Sequence, residues 1–148
     1  MMGLRSLTQN DVPALAELAQ VLGYPVEEAF VAQQLAQLLV DESHFILGYE
    51  KDGQLVGFLD SQVYESLYAP KGFNVLGLVV LPSHQGQGIG RELLTALEEE
   101  ASNRAFAFIR LNSGSQRLNA HEFYRRCGYE GDKMQVRFFK RIGDRDDF

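Results

Sequence analysis

The chain has a single cysteine, Cys127. One thiol cannot form an internal bridge, so the fold does not depend on an oxidising compartment. No apolar run approaches the roughly 20 residues of a membrane span. The opening MMGLRSLTQND has no apolar signal core, and Met2 separates Gly3 from the initiator, so no myristoylation pattern is present. A cytoplasmic protein without a membrane partner is expected. The three histidines, His44, His84 and His121, are dispersed without metal-ligand spacing, so no metal is expected. Basic residues are outnumbered 14 to 20, for a net charge of −6. The pairs Arg125-Arg126 and Lys140-Arg141 are short, separated and not interleaved with aromatics, so no nucleic-acid partner is expected. An acidic chain suits a cationic partner, although solubility alone accounts for the charge.

What is present is an ordinary globular composition, 45% hydrophobic and 23% charged over 148 residues. That fits one domain, here residues 1–142, followed by an acidic tail at 143–148. After a short extended segment, Gly3 to Leu7, Thr8 and Asp11 have the spacing of a capping box ahead of a helix carrying Val12, Leu15, Ala19 and Leu22. Gly23-Tyr24-Pro25 breaks it, and a second helix is predicted from Val26 to Leu39. Residues 44–63 read as a hairpin turning at Lys51-Asp52-Gly53. A loop from Tyr64 to Phe73 leads to a strand from Val75 to Leu81, apolar enough to be buried on both faces. A helix from Gly88 to Asn103 carries Ile89, Leu93, Leu94, Leu97 and Ala101 on one stripe. A strand at Phe106–Leu111, a loop over Asn112-Ser113-Gly114-Ser115, a helix from Leu118 to Cys127 stopped by Gly128, and a last strand at 134–141 complete the order. One further short strand is allowed near Tyr129. Met134, Phe138 and Phe139 are expected in the core, and Cys127 as buried packing. The pattern implies an α/β fold, a mixed twisted sheet of six to seven strands flanked by about four helices.

The stretch Val79-Val80-Leu81-Pro82-Ser83-His84-Gln85-Gly86-Gln87-Gly88-Ile89-Gly90-Arg91 joins a strand to a helix through three glycines. The first-turn amides of a helix lack internal acceptors and carry partial positive charge, which makes an anion site. Arg91 places a cation where the helix dipole disfavours one, a mismatch that a bound phosphate repairs. The alternative is a glycine turn without a ligand. A Walker loop is excluded because no Lys is followed by Ser or Thr here. A Rossmann loop is excluded because the glycines alternate and follow a late strand.

Gln85, Gly88 and Gly90 match Gln/Arg-x-x-Gly-x-Gly/Ala, and the stretch resembles the acetyl-CoA pyrophosphate loop of the GCN5-related N-acetyltransferase (GNAT) family. Asn119, Phe123, Tyr124, Gly128 and Tyr129 resemble that family's later motif, and the resemblance covers roughly residues 75–130. It implies an enzyme that transfers acetyl from acetyl-CoA directly to a primary amine, of a small molecule or a protein, in a ternary complex. Backbone from Gln85, Gly86, Gln87, Gly88, Ile89, Gly90 and Arg91 would hold the pyrophosphate. An amide of Leu78, Val79 or Val80 would hold the oxyanion, with Gly77 suited to a bulge that frees it. Tyr124 would protonate the leaving thiolate, and Asn119 would lie near the pantetheine or phosphate arm. Read without the family, Tyr124 is a core aromatic and Asn119 a helix cap or solvated residue.

Many relatives carry a Glu on the central strand where this chain has Gly77. The base is then Glu65, Asp60 or a water relay, with His84 behind them, or a low amine pKa removes the need for one. Glu65 ranks first because its loop should border the cleft, and it reads equally well as a solvated acid. Tyr24, Tyr64, Tyr68 and Phe73 are predicted in loops, where they either hold an ammonium by cation–π contact or pack the loops down. The missing carboxylate also motivates a second reading, a non-catalytic acyl-CoA-binding module or sensor. A homodimer through the last strand or helix faces is compatible with the pattern.

Overall fold

The computed structural model describes residues 3–113 and 117–143. They fall into two compact units, residues 1–112 and 113–148. The first holds β1 (Gly3–Arg5), α1 (Val12–Leu22), α2 (Glu28–Leu38), β2 (His44–Lys51), β3 (Gln54–Tyr64), β4 (Gly72–Val80), α3 (Ile89–Asn103) and β5 (Phe108–Leu111). The strands form one sheet in the order β1-β2-β3-β4-β5, antiparallel throughout except for the parallel β4–β5 pair. The capping box forms as predicted: Asn10 N–H donates to Thr8 Oγ1 and Thr8 N–H to Asp11 Oδ2. It opens a short 3-10 turn that runs into α1, and Gly23 closes α1 in the left-handed conformation.

Successive residues of β3 point to opposite faces. Phe58 and Asp60 line a cavity with side chains of α1 and α2, whereas a Cβ at Gly57 would meet Ile89 of α3. The helices therefore cover the two faces of the sheet. The predicted stripe of α3 is buried in full, and with Leu18, Val56, Leu59 and Phe73 it forms the core.

The second unit contains α4 (Leu118–Arg126). Gly128, at φ 93°, gives it a Schellman stop: Gly128 N–H donates to Arg125 O and Tyr129 N–H to Tyr124 O.

Several expectations are corrected. The sheet has five strands, not six to seven. Neither the strand at 134–141 nor the one near Tyr129 forms among the described residues. Met134, Phe138 and Phe139 are exposed there rather than in the core, since β propensity without a partner ladder makes no strand. Cys127 is half-buried. β4 is not buried on both faces, because Leu76 remains 49% exposed. Tyr64 ends β3 and Phe73 lies within β4, so neither is a loop residue. The Gly114-Ser115 part of the predicted loop and the tail at 144–148 lie outside the described residues.

Candidate functional site

Two irregularities in β4 prepare the site. Asp60 pairs with Gly77 but Ser61 pairs with Val75, so Leu76 is an extra residue, a β-bulge one position before the glycine predicted to accommodate it. In addition, β4 pairs with β5 only over Gly72–Val75. Residues 76–80 run on beyond the end of β5, so no described strand pairs with that side of β4, its open side. Leu81 N–H donates to Val56 O at 2.8 Å. Alternation along an antiparallel strand then turns Val79 N–H toward β3, and those of Leu78 and Val80 toward the open side. Of the three amides considered for the oxyanion, Leu78 and Val80 are thus the ones directed away from the ladder.

The glycine loop begins where β4 ends. Gln85 Nε2 donates to Val80 O at 3.0 Å and ties the loop to the strand. Gly86 and Gly88 take φ of 79° and 84°, a region costly for other residues, and Gly88 is the N-cap of α3. A Cβ at either glycine would meet nothing within 4 Å, so open space lies in front of the loop. No side chain caps Gly88, and the first intrahelical bond is Glu92 N–H to Gly88 O. The amides of Ile89 and Gly90 precede that bond, which suits them to a phosphate. Lys51 Nζ, from the last residue of β2, donates to Gln87 Oε1 and brings a cation to the loop. Burial pushes the Tyr49 phenol up, helped by a hydrogen bond to Glu92 in the first turn of α3.

In the second unit the Tyr124 ring lies 5.2 Å from Phe123 and 6.2 Å from Tyr129, both edge-on. The Tyr-x-x-x-Gly-Tyr spacing is thereby explained. It is the Schellman stop with its apolar contact between the residues on either side, and it fixes the phenol. Burial raises the Tyr124 pKa, opposed by the charge of Arg117. Asn119 is exposed on α4.

The remaining candidates are dispersed. Glu65 is 65% exposed and pairs with Lys71 at 3.4 Å. It lies beyond the Gly72 end of β4, five residues or about 17 Å of strand from Gly77. Tyr24 and Tyr68 are exposed at 66% and 89%. Tyr64 stacks under Arg110, whose Cζ lies 4.6 Å from the ring centroid. Phe73 is fully buried against Phe45 and Phe106. His84 bonds Ser83 Oγ on the surface.

The carboxylate nearest the bulge is Asp60, the partner of Gly77, with His44 Nδ1 3.1 Å from its Oδ1. Sequence reading named Asp60 but set His44 aside as isolated. Burial raises the Asp60 pKa, and the bond to His44 opposes that rise. Among the described residues no group of three potential metal ligands converges, and no helix is long and apolar enough to cross a membrane.

Residues 11–129 match the acetyltransferase (GNAT) family. The chain is 31% identical to the aminoalkylphosphonate N-acetyltransferase of Salmonella typhimurium, over 94% of this chain and 90% of the relative. It is 29% identical to the type 1 aminoglycoside N(6′)-acetyltransferase of Stenotrophomonas maltophilia, over 91% and 90%. Among solved structures it resembles an aminoglycoside N-acetyltransferase, AAC(6′)-Iy, in complex with CoA, at a TM-score of 0.84 and 16% identity over 96% of each chain. The glycine loop, the bulged β4 and these matches place the chain in the GNAT family of acetyltransferases.

Proposed function

We propose that this protein transfers acetyl from acetyl-CoA to a primary amine, within a single functional domain spanning residues 1–142. The observation that carries the reading is the coupling of the glycine loop to β4: one hydrogen bond, Gln85 to Val80, joins the anion site to the strand whose amides face the open side. Backbone N–H groups of the loop and first turn, Gln85 to Arg91, bind the pyrophosphate, and Lys51 adds positive charge beside them. The Leu78 or Val80 amide stabilises the oxyanion that forms when the amine attacks the thioester carbonyl. The family resemblance gives Tyr124, whose pKa burial raises, the role of donor to the departing thiolate, and Asn119 a role beside the pantetheine arm.

Attack is direct, so no acyl-enzyme forms. The test is thiol release from acetyl-CoA by the purified chain with a panel of amines, run beside calorimetry for acetyl-CoA. Binding with turnover supports transfer. Tight binding with no turnover across the panel supports a non-catalytic acyl-CoA sensor instead, and absence of binding removes both.

A further inference from the structure

Asp60 is a carboxylate placed where hydrocarbon dominates. It lines a cavity of about 150 Å³ between α1, α2 and the sheet, together with Leu15, Phe30, Leu35, Leu38 and Phe58. Among the described lining residues it is the one ionisable group, and Gln34 is the one other polar side chain. A carboxylate in apolar surroundings is costly unless partnered. Its partner is His44, whose side chain is 8% exposed and which engages Oδ1. An ionised carboxylate accepts about four hydrogen bonds, so capacity for a donor remains on the cavity side.

We propose that this cavity is the acceptor site and that it takes a primary amine with an apolar body, whose ammonium pairs with Asp60. The proposal rests on the transfer reading and names its substrate class. A cationic head fits the one carboxylate, and an alkyl or aryl body fits the rest of the lining. An aminoglycoside, with several ammonium groups, would leave most of them without a counter-charge in this cavity. An aminoalkylphosphonate would find no Lys or Arg among the described lining residues. Asp60 also stands at the reacting end of the site. Its cross-strand partner Gly77 immediately precedes Leu78, whose N–H faces the open side of β4. Strand spacing puts the two backbones about 4.8 Å apart. Asp60, whose side chain is 23% exposed, takes the first ammonium proton and releases it to solvent, with His44 holding the carboxylate in place. The amine lone pair forms the C–N bond, the C–S bond breaks, and the second amine proton goes to the thiolate. The products are the acetamide, the free thiol of CoA and one proton. The raised Asp60 pKa fits a proton acceptor.

The experiment measures binding of phenethylamine to the full chain without acetyl-CoA, by calorimetry, and then thiol release with acetyl-CoA. Asp60→Asn should abolish amine binding and lower kcat/KM at least about 100-fold while acetyl-CoA affinity stays within about twofold. Ala19→Phe, which narrows the cavity from the α1 side and leaves the Asp60 carboxylate in the chain, should weaken phenethylamine about tenfold or more. His44→Gln should shift the acid limb of the kcat/KM profile more than KM, as a positioning residue does. Amine binding that survives both Asp60→Asn and Ala19→Phe, or no amine binding to the wild type, overturns the inference. So does a kcat/KM higher for an aminoglycoside or an aminoalkylphosphonate than for phenethylamine. Asp60-dependent amine binding with no thiol release upholds the site and overturns the transfer reading alone.

Discussion

Gln85 and Val80 are joined by a side-chain-to-backbone hydrogen bond of 3.0 Å, so the first residue of the glycine loop is clamped to the last residue of β4. Gln85→Ala loses that donor, and Gln85→Glu replaces it with a carboxylate facing a carbonyl and the pyrophosphate proposed to bind at the loop. The Ala variant should weaken acetyl-CoA about tenfold, the equivalent of roughly 1.4 kcal/mol, and the Glu variant more. Calorimetry with intact and dephosphorylated CoA checks this. Equal losses for both ligands would place the effect at the pyrophosphate. Gly88→Asp, which forces a side chain to φ 84° beside the same phosphates, should remove binding.

Tyr124 is held by Phe123, Tyr129 and the Schellman stop, and its phenol titrates above the usual value because burial disfavours the phenolate. The acid form is therefore present throughout the neutral range and is lost only as pH rises past that raised value. Tyr124→Phe should lower kcat about 100-fold with acetyl-CoA affinity unchanged, and the alkaline fall of kcat should vanish with it. Retention of that alkaline limb in the Phe variant would assign it to another group.

Arg5 Nη1 and Nη2 donate to the two oxygens of Asp11 at 2.9 and 2.8 Å, while Arg5 Nε reaches Glu50 at 2.7 Å. The guanidinium holds the Asp11 carboxyl below its ordinary 3.8, opposed by burial and aided by Thr8 N–H. A depressed folded pKa means stability that is present in full above the unfolded value and lost as pH falls through the folded one. Urea midpoints taken from about pH 6 down to about pH 2 should fall over that acid window. In Asp11→Asn the decline should be shallower, and the unfolding free energy near neutral pH lower by about 1–3 kcal/mol.

Much of this fold follows from local pattern: the capping box at Thr8 and Asp11, the α3 stripe and the Gly128 stop all form where periodicity and turn chemistry put them. Long-range register does not. Counting from the Lys51–Gln54 pair at the hairpin turn would set His44 opposite Ser61, with His44 and Asp60 on opposite faces. The register shift between Tyr49 and Glu50 makes Val56 an extra residue and moves His44 opposite Gln62. One inserted residue flips every side chain beyond it. That bulge creates the His44–Asp60 pair, and no local signal in the sequence announces it. The glycine loop was legible because its chemistry is contiguous. The pairing of Asp60 with His44 was not, because it depends on a register.

The short β4–β5 pairing has its own test. A Cβ at Gly72 would lie 2.5 Å from the backbone oxygen of Phe108 and 2.6 Å from its ring, within the short paired segment Gly72–Val75. A backbone oxygen cannot swing aside, so Gly72→Ala must push the strands apart or displace Phe108. At Gly77 the same methyl would meet only Leu22 Cδ2 at 3.2 Å and Phe58 Cε1 at 3.6 Å, side chains that can shift. Gly72→Ala should therefore cost about 1–3 kcal/mol, and Gly77→Ala clearly less. Urea unfolding of the two variants side by side measures the difference. A larger loss at Gly77 would mean that the bulge, rather than the paired segment, is the less tolerant part of β4.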